Sequence, residues 1–261
     1  MSNTLSIIGA GNMGFAIAQG LVNSGQYQAN QIYLSTKDVE AIKTFQKEGY
    51  QVADNKTLVK SSKLVLLVVK PWIAEQVLDE IKDSFTPEHI LASCVTGLSS
   101  KRVFDYLGED TTFFRIMPNT GAMVGESMSC IADFNASEEQ KNVLKNIFST
   151  LGEVLFIEEN KMAAGTAVAG CGIAYALRFI RAVTQAGVEI GLTPADAAKM
   201  GAQIAKGAAE LILQNGSNPE VEIDKVTTPG GVTIAGLNEM EHNGYSSAII
   251  QGIIAAYEKA Q

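Results

Sequence analysis

Apolar positions in the first half of the chain come in short runs, at residues 5–8, 32–34, 64–69, 90–95 and 113–117. Runs of this length read as strands, and the lack of polar alternation through 64–69 marks a strand covered on both faces. Between several of them the period lengthens to that of a helix, as at Trp72, Ile73, Gln76, Val77 and Ile81. Strand–helix alternation predicts a doubly wound α/β domain, a parallel sheet with helices on both faces. A helix over 137–151 starts at Ser137 with Glu138 and Glu139 in its first turn, and a strand at 154–157 closes this half.

From about Lys161 the pattern is helical only. Residues 162–190 are rich in small side chains, among them Ala163, Gly165, Ala167, Ala169, Gly170 and Gly172, which let helices approach closely. Thr193-Pro194-Ala195-Asp196 supplies a cap, a proline for the first helical position and an acid for the first turn. That helix runs to about Gln214 and stops at Asn215-Gly216. Asn218-Pro219 and Thr228-Pro229-Gly230-Gly231 mark two further breaks, and two short helices finish the chain. The expected domains are therefore 1–160 and 161–261. About a hundred residues of apolar helices are too thin to bury their own faces, so a homodimer or higher homo-oligomer is expected.

The densest chemical signal is Gly9-Ala10-Gly11-Asn12-Met13-Gly14, directly behind the first strand and ahead of a helical pattern through Ala16, Ile17, Leu21 and Val22. In a dinucleotide site the first glycine permits the turn and the second admits a pyrophosphate. The third lets helix and sheet pack closely, and the helix N-terminus faces the phosphates. Glycine-rich turns also occur for steric reasons alone; the strand before and the helix after favour a cofactor. Sites for NAD place an acid about twenty residues on, at the end of the second strand. Here that position holds Ser35-Thr36-Lys37, and Asp38 lies too far along. Two hydroxyls and a cation suit a 2′-phosphate, which favours NADPH over NADH, although an ordinary polar turn reads the same way.

Composition narrows the partners. A formal charge of −8 and a pI near 4.9 argue against nucleic acid or an anionic membrane. No secretory signal precedes the first strand, and Arg178, Arg181 and Gln185 interrupt the most apolar stretch, so no membrane span is expected. Cys94, Cys130 and Cys171 are odd in number and lack metal-ligand spacing, which points to a reducing cytoplasm, no disulfide framework and no metal. His89 and His242 sit in polar surroundings and read as solvated.

Four segments occur in order: the glycine turn, Val68-Val69-Lys70-Pro71, Arg115-Ile116-Met117-Pro118-Asn119-Thr120, and Thr228-Pro229-Gly230-Gly231-Val232-Thr233. Together they resemble the pyrroline-5-carboxylate reductase family, which reduces a cyclic imine carboxylate to proline with NAD(P)H. The resemblance implies a Rossmann-type sheet domain followed by an all-helical dimerisation domain. It also implies a cofactor contact at Asn55, beside those read above at Gly9, Gly11, Asn12, Met13 and Gly14 and at Ser35, Thr36 and Lys37. Val68, Val69, Lys70 and Pro71 end the central strand at the carboxyl edge, where such sheets bind ligands. Substrate would meet Gly230, Gly231, Val232 and Thr233, with Asn119 as a further pocket residue and Thr233 beside the imine nitrogen. The residues themselves agree in part: Gly230 and Gly231 are placed to expose successive amides, and a helix from Val232 would aim its positive end at an anion. The same turn reads equally as a glycine cap between helices, Lys70 as a solvated strand end and Asn119 as a turn former.

The chain departs from that family in two places. It has Ala169-Gly170-Cys171-Gly172-Ile173 where a serine-glycine-serine-glycine-proline segment is frequent, and Gly121 where proline is frequent. Two hydroxyls and two rigid rings are missing, which bears on substrate range. Two rival readings remain. A β-hydroxyacid dehydrogenase would want a lysine in the long helix, where only Arg178 and Arg181 stand between Ala163 and Gly191. A non-catalytic NADP-binding sensor has only the departures in its favour.

Overall fold

A computed structural model describes residues 4–261. Eight strands form one sheet in the order β3-β2-β1-β4-β5-β6-β7-β8. They are β1 (Leu5–Ile8), β2 (Ile32–Ser35), β3 (Gln51–Val52), β4 (Leu64–Leu67), β5 (Ile90–Ser93), β6 (Thr112–Met117), β7 (Ser127–Phe134) and β8 (Gly152–Phe156). The first six are parallel; β7 turns back against β6, and β8 runs parallel to β7. Register places Ile8 beside Ser35 and Leu67, so the carboxyl ends of β1, β2 and β4 are level.

The doubly wound expectation holds. Helices α1 (Asn12–Asn23), α2 (Val39–Lys47) and α6 (Glu138–Ser149) cover one face, where Ile17, Leu21, Phe45 and Phe148 pack on Ile7 and Leu34. Helices α3 (Asn55–Ser61), α4 (Pro71–Ile81) and α5 (Ser100–Leu107) cover the other, where Leu58, Leu78, Ile81 and Val103 meet Ile8, Val65 and Phe113. Alternate residues of β1 feed opposite cores, as the pleat requires. Ser137 caps α6 reciprocally with Gln140.

Two strands lie outside the apolar runs. β3 is two residues long and little buried. In β7 the buried side chains Ser127 and Ser129 are polar and share a hydrogen bond, so no apolar run marks the strand. His89, expected as solvated, is half-buried: its ring nitrogens meet the Thr86 amide and the Val59 carbonyl, each at 2.9 Å. The amide must donate and the carbonyl must accept, so Nδ1 accepts and Nε2 donates.

The helical segment that follows comprises α7 (Met162–Gly165), a π turn over Thr166–Gly170, α8 (Gly172–Glu189), α9 (Pro194–Asn215), α10 (Pro219–Val226), α11 (Val232–His242) and α12 (Tyr245–Ala260). Cys171 donates to the Thr166 carbonyl at 2.9 Å, one residue beyond helical spacing. By packing, the chain divides after Cys171, with 257–261 joining the first unit and 172–256 forming the second. Residues 159–171 belong to the sheet: Met162 is fully buried with Met117 and Cys130, and Gly165 faces Cys130.

The run Glu159–Glu189 is long and apolar enough, by length and composition, to cross a membrane. This differs from the expectation, because the stretch before Arg178 is uncharged from Met162 onward. Its first turns face protein, with Met162 and Ala167 buried.

In the second unit Thr193 caps α9, and Gly216 ends it in the left-handed region at φ +62°. Only Gly187, Ala197 and Gly201 are buried among residues 172–256, and all three are small.

Candidate functional site

The three glycines of the first turn stand in different environments. Gly9 has φ +96°, and a Cβ there would lie 2.5 Å from the Val68 carbonyl oxygen and 2.6 Å from Val69 Cγ1. A Cβ on Gly14 would lie 2.5 Å from the Gly9 carbonyl oxygen. Packing of sheet against α1 therefore demands both. Gly11 is another matter: nothing stands within 4 Å of its Cβ position, and its backbone is ordinary extended chain at φ −83°. The chain itself does not require glycine there. Open space over Gly11, ahead of a helix with neither a side-chain cap nor an acid in its first turn, suits a pyrophosphate. Asn12 and Met13 occupy that first turn, with Asn12 exposed.

The neighbouring strand ends complete this edge. The Gly9 and Ala10 amides both donate to the Ser35 carbonyl, at 3.1 and 2.8 Å. Val68 donates to the Ile8 carbonyl at 2.8 Å, and Val69 lies against the Gly9 turn. Lys70 is exposed and precedes Pro71, the first residue of α4. Asp38 caps α2, accepting from the amides of Glu40 and Ala41, which accounts for the misplaced acid.

Ser35 differs from its expected part as a phosphate donor. It is nearly buried, and its hydroxyl donates to Asn55 Oδ1 at 2.7 Å. Asn55 Nδ2 in turn donates to Glu80 Oε2 at 2.9 Å. Thr36 Oγ1 accepts from the Asp38 amide, which leaves its own proton available, and Lys37 is exposed. Glu80 carries no sequence signal: it is an acid on an amphipathic helix, and only the fold brings it to Asn55.

Asn119 is buried between two segments. Its Oδ1 accepts from the Gly121 amide at 2.8 Å, and its Nδ2 donates to the Ala169 carbonyl at 3.1 Å. Ala169 lies within the π turn. Asn119 thus braces the 120–124 turn against the π turn. Burial pushes the Cys94 thiol up to about 12, which disfavours the thiolate.

In the second unit Gly230 has φ +68°, and Gly231 precedes α11 with extended backbone. Successive free amides at both glycines are not found, because the Gly231 amide donates to the Thr228 carbonyl at 2.9 Å. The amides left without helical acceptors begin at Val232 and Thr233. Val232 is 91% exposed, Thr233 is exposed beside it, and the first turn of α11 carries no acid. This end of α11 can hold an anion.

Residues 159–261 match the family model described as pyrroline-5-carboxylate reductase dimerisation, and residues 4–97 match NADP oxidoreductase, coenzyme F420-dependent. Pyrroline-5-carboxylate reductase 2 of Dictyostelium discoideum is 41% identical over 99% of this chain and 92% of its own. Pyrroline-5-carboxylate reductase 1 of the same organism is 42% identical over 99% of this chain, which spans only 49% of that longer relative. Among solved structures, the pyrroline carboxylate reductase of Plasmodium falciparum with NADP bound superposes with a TM-score of 0.90 at 27% identity, covering 98% of this chain and 96% of that one.

Proposed function

We infer the activity from membership: this chain belongs to the pyrroline-5-carboxylate reductase family, and we propose that it reduces 1-pyrroline-5-carboxylate to L-proline, the last step of proline biosynthesis. The proposed cofactor is NADPH, with NADH as the second choice. The observation that carries the cofactor half is Gly11, a glycine that no internal contact requires, set before the uncapped N-terminus of α1.

When bound, the cofactor supplies a hydride to the carbon of the C=N bond. The chain's part is to position, to hold charge and to keep a proton at nitrogen. The first-turn amides of α11 at Val232 and Thr233 would take the substrate carboxylate, with Gly230 and Gly231 shaping the approach. An iminium accepts hydride more readily than a neutral imine, so the nitrogen must stay protonated. The Thr233 hydroxyl is too weak an acid to supply that proton at neutral pH, and its proposed role is to orient the nitrogen.

The second unit supports a homo-oligomer. Leu177, Ile190, Leu213 and Ile250 are each more than half exposed, and no large side chain of 172–256 is buried. Helices this bare gain stability by covering one another across subunits. A cytoplasmic protein without nucleic-acid or membrane partners completes the proposal, supported by the acidic composition and by three unpaired thiols.

The test is direct. Purified protein mixed with NADPH and the cyclic imine should lose nicotinamide absorbance and form proline. Absence of turnover with either NADPH or NADH would remove the reading. Oxidation of a 3-hydroxy acid with NADP+ instead would replace it with the dehydrogenase alternative.

A further inference from the structure

Glu80, Asn55 and Ser35 form a chain of hydrogen bonds whose polarity is fixed from one end. An ionised carboxylate only accepts, so Asn55 must turn Nδ2 toward Glu80, at 2.9 Å. That leaves Oδ1 for Ser35, and the single hydroxyl proton of Ser35 goes to it at 2.7 Å. What Ser35 can still offer is a lone pair. Its carbonyl anchors the Gly9 and Ala10 amides, so the residue cannot swing away without loosening the glycine turn. Among the described residues no cation pairs with Glu80.

The end of the second strand is where folds of this kind hold the adenosine ribose. A ribose 2′-hydroxyl can donate into the Ser35 lone pair. A 2′-phosphate has no proton to give there and gains nothing from it. We propose that Glu80 is a positioning residue that sets cofactor choice: acting through Asn55, it holds Ser35 as an acceptor and lowers the preference for NADPH over NADH. A 2′-phosphate is then left to Thr36 and Lys37. With glutamine at 80 the amide can donate to Asn55 Oδ1. Asn55 Nδ2 can then face Ser35, whose proton becomes free to meet a phosphate.

This inference rests on the cofactor half of the proposed function, and binding rather than turnover tests it. Dissociation constants for NADPH and NADH would be measured by titration calorimetry on the wild type, Glu80→Gln, Ser35→Ala and the double variant, each checked for a cooperative melt. Glu80→Gln should shift the ratio of the two constants toward NADPH by roughly three- to tenfold, the range of one neutral hydrogen bond. Ser35→Ala, a variant independent of position 80, should weaken NADH more than NADPH. In the double variant the effect of Glu80→Gln on the ratio should vanish. An unchanged ratio in Glu80→Gln, a larger NADPH loss in Ser35→Ala, or a shift that persists without Ser35 would each overturn the relay. A wild type that binds neither dinucleotide overturns the cofactor reading and this inference with it. A wild type that binds and reduces the imine while the ratios stay fixed overturns this inference alone.

Discussion

Arg115 reaches from β6 to the carboxylate of Glu159 at 3.4 Å, with 12% and 27% of their side chains exposed. The same carboxylate accepts the Ser100 amide at 2.9 Å and the Ser100 hydroxyl at 2.7 Å. Glu159 thereby joins the sheet, the start of α5 and the first helical turn after β8. Arg115 Nε is buried without a hydrogen-bond partner among the described residues, so Glu159 is its main compensation. Glu159→Ala should destabilise the folded protein by about 1.5–3 kcal/mol, the scale of a hydrogen bond to a charged group. Equilibrium denaturation checks this; a change near zero would show the guanidinium finding another partner.

Gly9→Ala and Gly11→Ala should separate stability from binding. Alanine at 9 meets both a left-handed backbone and the Val68 carbonyl, so the protein should melt earlier and bind dinucleotide poorly. Alanine at 11 has room and a compatible backbone. Its melt should match the wild type while NAD(P)H affinity falls by about tenfold, or ~1.4 kcal/mol. Equal melting losses in the two variants would remove Gly11 from the pyrophosphate site.

Thr233→Ala should lower kcat/KM for the imine by roughly one to two decades, equivalent to about 1.5–3 kcal/mol, and leave the dissociation constant for NADPH unchanged. Steady-state rates beside a binding titration make the comparison. Wild-type rates would take Thr233 out of the mechanism.

Lys37→Glu should weaken NADPH far more than NADH, because repulsion replaces attraction at the 2′-phosphate. Competition titrations with the two cofactors decide it. Equal losses would mean that Lys37 does not face the phosphate.

Melting temperature should rise with protein concentration, since the second unit buries only Gly187, Ala197 and Gly201. Calorimetric scans over a wide dilution series, alongside light scattering, make the check. A concentration-independent melt with a monomer in scattering would defeat the oligomer proposal.

The parallel part of the sheet was legible because β1, β4, β5 and β6 are apolar runs buried on both faces. β7 was not, because Ser127 and Ser129 fill buried positions and satisfy each other's hydroxyls. The glycine turn could be read from Gly9 to Gly14, yet only packing separates Gly9 and Gly14, which the fold requires, from Gly11, which it does not. Ser35 looked like a donor in the chain; its proton is committed by Asn55 and, one step further, by Glu80. Hydrogen-bond direction of that kind is a property of three separated segments meeting, and no local pattern carries it.

Gly121 is held to glycine by its surroundings. Its amide holds Asn119 Oδ1, and a Cβ at this position would collide with the Glu126 carbonyl. Proline has no amide hydrogen and brings a full ring. Proline at 121 would leave Asn119 Oδ1 without its donor and press a ring against the Glu126 carbonyl. The loop therefore admits proline at 121 only if the 120–126 backbone has first shifted by some other change.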